Sequence, residues 1–161
     1  MPGLLKRIER IFRPEANGRR AANDPIDTLK ESYRDLTRLA AQIADHADRA
    51  PYPAVAQTLR RVAEEKSSAA NTLRDRINAM GGSPYEIPFE MESGGNHWER
   101  MGRDLRAHSV LETRFLERAA RLNEKSPDAA ELLRQAVQLQ NHHVRILMDF
   151  IARADPQAQQ T

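Results

Sequence analysis

Cysteine is missing altogether from the 161 residues. Its absence excludes disulfides, iron–sulfur clusters, thiol catalysis and cysteine-ligated zinc. Aromatic residues are scarce, at 5%, and no basic stripe with interleaved aromatics runs through the body, so no nucleic-acid partner is expected. Apolar runs stay far below the ~18 residues that a membrane span needs. The N-terminus lacks the long apolar core of a secretory signal, which makes a cytoplasmic location the expectation. Nowhere does a phosphate-cradling glycine loop, a nucleotide motif or a nucleophile–base pair announce hydrolytic or transferase chemistry.

What the chain does contain is helix-forming residues, with proline and glycine used as punctuation. A hydrophobic fraction of 40%, rich in Ala and Leu and accompanied by many Arg and Glu, favours one all-helical globular domain with a real core. Four long helical patterns are legible. The first spans 25–49, with Asp24 as N-cap, Pro25 at the first helical position and the stripe Leu29, Tyr33, Leu36, Ala40, Ile43, Ala47. Pro51-Tyr52-Pro53 breaks the chain, and a second helix runs from Pro53 to Met80, ending at Gly81-Gly82. Its stripe is Val55, Leu59, Val62, Lys66, Ala69, Leu73, Ile77, Met80, with Lys66 the one charged intruder.

Residues 81–95 read as irregular because of Pro84, Pro88 and Gly94-Gly95. Asn96 and Glu99 form a capping-box pattern for a third helix over 97–123, with the stripe Trp98, Met101, Leu105, His108, Glu112, Phe115, Ala119, Leu122. Ser126 and Pro127 open a fourth helix to about Ala154, with the stripe Leu132, Leu133, Ala136, Gln140, His143, Leu147, Phe150, Ile151. Short links force antiparallel neighbours within each pair. The middle link, about 15 residues, can stretch roughly 50 Å and return the chain along the bundle. The expected fold is all-α: two antiparallel hairpins joined by one long crossover, occupying 24–155.

In that pattern the chain resembles the ferritin-like superfamily, particularly its rubrerythrin-type four-helix di-iron carboxylate proteins. The resemblance implies two metals held by one Glu from each of two helices and Glu-x-x-His from each of the other two. Carried across by helical phase, those positions fall on Tyr33, on Lys66-Ser67-Ser68-Ala69, on His108 with Glu112 one turn later, and on Gln140-Asn141-His142-His143. Only His143 keeps the family's residue type. Glu31, Glu64 and Glu65 lie off the inward stripes, and His46 and His142 are expected on the surface.

The reading is therefore a ferritin-like bundle with a degenerate metal motif, no catalytic residues and no cofactor. Its polar core is Tyr33, Lys66, His108, Glu112, Gln140 and His143. Lys66 and Glu112 are expected to form an internal ion pair, and Lys66→Met alone should then cost roughly 3–5 kcal/mol by stranding Glu112. The alternative is an altered mononuclear site of iron or manganese on His108, Glu112 and His143, two imidazoles and a carboxylate. An enzyme, on that alternative, would be a ferritin-like oxidoreductase.

Residues 1–23 form a separate basic arm. Within 1–22, six basic residues face two acidic ones, while the whole chain carries only +2. Leu4, Leu5, Ile8, Ile11 and Phe12 share one helical face, with Lys6, Arg7, Arg10 and Arg13 around the rest. Such a helix can cover its own bundle or a homodimer surface, dock on a protein partner, or lie on an anionic membrane. Residues 156–161 read as a disordered tail.

Overall fold

The computed structural model describes residues 24–85 and 95–153. The basic arm, the centre of the crossover and the C-terminal tail, on which several of the expectations above fall, lie outside them. Four helices follow one another: α1, Pro25–Arg49; α2, Pro53–Ala79; α3, His97–Leu122; and α4, Pro127–Arg153. Their starts coincide with the positions read from the sequence.

Local chemistry explains the ends. Asp24 accepts from the amides of Ile26 at 2.8 Å and Asp27 at 3.3 Å, satisfying donors that a first turn leaves unpaired. Asn96 and Glu99 form a reciprocal capping box at the start of α3. At the end of α2, Gly81 sits at φ +82°, a conformation that glycine adopts without a Cβ penalty. The Gly82 amide then reaches the Ile77 carbonyl at 2.9 Å and the Gly81 amide the Asn78 carbonyl at 3.0 Å, which closes a Schellman motif.

Helices α1 and α2 form one hairpin and α3 and α4 the other, and contacts between the hairpins set their directions. Near the end of α1, His46 meets His97 at the start of α3, and Asp35 near the start of α1 meets Arg118 near the end of α3, so α1 and α3 are antiparallel. Arg76 of α2 reaches Asp128 of α4, which makes that pair antiparallel too. The chain leaves α2 beside Ile26, which approaches Gly82, and resumes at α3 beside His46. Residues 81–96 therefore join opposite ends of the bundle, the expected long crossover.

The core is built from Leu29, Leu36, Ile43, Leu59, Leu73, Ile77, Met101, Phe115, Leu122, Leu133 and Leu147, together with smaller aliphatic residues. No helix among the described residues is long and apolar enough to cross a membrane.

Candidate functional site

At mid-bundle the apolar layers give way to a polar one. Lys66 on α2, His108 on α3, and Gln140 and His143 on α4 are all fully buried, while Tyr33 on α1 is half-buried against the core. Each buried member occupies a position spaced three or four residues from its apolar neighbours, which turns the side chain inward.

Lys66 does not pair with Glu112. Its ammonium donates to Gln140 Oε1, and Gln140 Nε2 donates onward to the Ala136 carbonyl at 3.3 Å. Glu112 is half-buried and faces the side-chain amide of Asn141, which donates to both carboxylate oxygens, at 3.0 and 3.1 Å, once that amide is turned to put its nitrogen toward them. The expected ion pair is thus replaced by a neutral acceptor. Burial pushes the Lys66 pKa down from 10.5 to about 7, against the opposing pull of the Asp104 and Glu65 charges.

The two imidazoles are held from outside the layer. His108 Nδ1 lies 2.7 Å from the Asp104 backbone carbonyl, and His143 Nε2 lies 2.7 Å from Glu65 Oε2. Glu65, expected off the inward face, reaches in because its carboxylate extends from a side chain that is only 37% exposed. The rings stand edge-on, 5.8 Å apart. His108 Nε2 and His143 Nδ1 are buried without a hydrogen-bond partner among the described residues. Burial first, and the nearby Lys66 charge second, hold His143 down at about 4 and His108 well below 6.5. Near neutral pH both rings are uncharged, and Lys66 is close to its own titration.

One turn toward the start of α3 lies a second polar layer that sequence reasoning missed. Asp104, 1% exposed, accepts from Gln42 Nε2 at 2.8 Å and contacts His46 Nδ1 at 2.5 Å. His46 was expected at the surface, yet it is 1% exposed. His46 Nε2 in turn meets His97 Nδ1 at 3.0 Å. A third layer at the other end joins Arg118 to Asp35 at 2.8 Å, Ser32 at 3.2 Å and Glu31 at 3.2 Å.

A signal for these layers was present. Met101, Asp104, His108, Leu111, Phe115, Arg118 and Leu122 follow one unbroken three-four spacing, as do Leu29, Ser32, Leu36, Leu39, Ile43 and His46. Selecting apolar residues in place of the spacing passed over Asp104 in favour of Leu105, and left out Ser32, His46 and Arg118.

Bacterioferritin BfrA from M. tuberculosis superimposes with a TM-score of 0.74 at 20% identity, over 80% of this chain and 83% of that one. A mycobacterial bacterioferritin gives 0.74 at 22% over the same shares. Dps92 from Deinococcus radiodurans gives 0.74 at 14%, over 86% of this chain and 91% of that one. The fold is ferritin-like. The sequence itself matches no protein-family model and no curated protein.

The ferritin-like fold implies a di-metal centre, and the residues present do not fit one. Two adjacent multivalent cations need several carboxylates to neutralise and bridge them. The layer offers instead an amine donating to an amide, two imidazoles, and a single carboxylate, Glu65, already engaged with His143. Among the described residues no three or more of His, Asp and Glu form a metal-binding group.

Proposed function

We propose that this ferritin-like bundle has exchanged its di-metal centre for a hydrogen-bonded polar layer and acts as a structural or interaction module, not as an oxidoreductase. The observation that carries this reading is Lys66. A fully buried amine bonded to Gln140 occupies the level where the rubrerythrin-type pattern would put a metal carboxylate. Its positive form repels a cation, and among the described residues the one acid of this layer, Glu65, is engaged with His143. Recruitment through residues 1–13, to a protein partner or an anionic membrane surface from the cytoplasm, and self-association into a homodimer are the interactions this role would use.

A second reading has one observation in its favour. The unpartnered nitrogens of His108 and His143 are donors that a single iron or manganese ion could draw on, with Glu112 swung inward from Asn141.

Purified full-length chain and chain lacking residues 1–13, compared side by side, test both readings. The proposal expects substoichiometric iron and manganese, no Fe(II) oxidation above background, and co-sedimentation with anionic liposomes or a partner only when the arm is present. Stoichiometric iron or manganese that disappears in His143→Ala overturns it and establishes the second reading.

A further inference from the structure

Lys30, Arg34, Arg38, Gln42 and His46 stand four residues apart along α1, which places them in one row on its surface. The Lys30 ammonium lies over the Tyr85 ring, 5.1 Å from its centre, and His46 meets His97 at the far end of the row. Both ends of the crossover are thus anchored on this row, about 24 Å apart at 1.5 Å per residue. The stretch from Tyr85 to His97 reaches roughly 40 Å when extended, so it spans the row with slack to spare.

Beside the row, between α1 and α3, runs a groove of about 480 Å³. Leu39 and Leu111 form its buried floor, and Val110 beside them is 50% exposed. Arg38, Arg103, Arg106 and Arg114 form its walls. The one carboxylate of the described lining, Asp35, is engaged by Arg118 at 2.8 Å. Guanidinium groups in excess over an apolar floor suit a segment that is acidic and apolar together.

We propose that the chain fills this groove itself, with residues 86–92 of the crossover as the occupant. Those residues lie outside the described ones, and their sequence has both properties. Glu86, Glu90 and Glu92 occur with no basic residue among 86–94, and Ile87, Phe89 and Met91 alternate with them. In an extended segment that alternation sets the apolar side chains on the groove floor and the carboxylates at the rim, where the arginine stems rise to meet them. Pro88 favours an extended backbone at Ile87. The midpoint of the span, Met91, falls level with Arg38, the midpoint of the row, so Glu90 and Glu92 flank that guanidinium. The groove is then a seam that joins the two hairpins through the crossover. It is not left for a partner, and recruitment through other surfaces is unaffected.

Carbodiimide joins a carboxylate to an amine only where the two touch, and the full-length chain reports that contact once arginine is exchanged for lysine. Arg38→Lys and Arg106→Lys keep the charge, and Arg60→Lys, on an exposed part of α2, is the control. After proteolysis, mass spectrometry should find residues 86–92 joined within one chain to position 38, position 106 or both, and not to position 60. Mixing isotopically labelled and unlabelled chains separates links within a chain from links between chains. Absence of both links, an equal yield in Arg60→Lys, or links formed only between chains overturns the proposal. Saturable binding of a hexa-aspartate peptide to the wild-type chain, abolished in Arg106→Gln, also overturns it, because the groove would then stand open to an external acidic partner.

Discussion

Lys66 gives up its hydration shell on folding and receives one neutral acceptor, Gln140, in return. With a folded pKa near 7 against 10.5 for the free side chain, the unfolded chain holds a proton in that interval that the folded chain lacks. Stability must therefore rise with pH from about 7 to 10.5, and below 7 the full penalty of a buried charge is present. The penalty is on the order of 5 kcal/mol as an upper figure. Losing the donor to Gln140 costs about 1–3 kcal/mol, so the charge term wins at low pH. Lys66→Met should raise the melting temperature at pH 6, and its advantage should vanish or reverse near pH 10. A lower melting temperature at pH 6 would restore the ion-pair interpretation. The opposite sign expected from sequence rested on Glu112 being stranded, and Glu112 has Asn141 for a partner.

Helix ends were the most legible feature at the scale of the element, because their determinants are local. Proline at the first turn of α1, α2 and α4, the Asn96–Glu99 box, and Gly81-Gly82 all act within four residues of themselves. Two sites turn this into a measurement. Gly81→Ala forces a Cβ into φ +82°, and Asn96→Ala removes the acceptor that the Glu99 amide uses at 2.9 Å. Each should cost about 1 kcal/mol, seen as a lowered urea midpoint with an unchanged slope. The two ends lie far apart, so the double variant should show the sum. The helix interiors were legible in spacing but only partly in content. The heptad of α3 passes through Asp104 and Arg118 without regard to polarity, so a reading keyed to apolar residues lost both.

Across the whole molecule, polar layers tie one hairpin to the other. Arg118 from α3 reaches Ser32, Asp35 and Glu31 of α1; Asp104 reaches Gln42 and His46; Glu65 of α2 reaches His143 of α4. These contacts select an alignment that apolar side chains, being non-directional, leave free to slide. Arg118→Ala should take from Asp35, only 11% exposed, its shortest partner and leave it Arg34 and Arg114 at 3.8 Å, at a cost of roughly 1–3 kcal/mol. Equilibrium unfolding in urea measures it, and a change within about 0.5 kcal/mol, the range of ordinary surface substitutions, would show that the clamp does not hold the hairpins.

The amino-acid order alone determined four helices, their ends, the crossover and the inward phase of Lys66, His108, Gln140 and His143, because each depends on chain geometry within a few residues or on link length. Only the packed bundle decided which inward groups meet. Helical phase specifies an angle around one axis, whereas a contact between helices also needs the axial stagger, the rotation of the neighbour and the reach of a long side chain. Those quantities gave Lys66 to Gln140 and Glu112 to Asn141, drew Glu65 onto His143, and closed Asp104, His46 and His97 into one line.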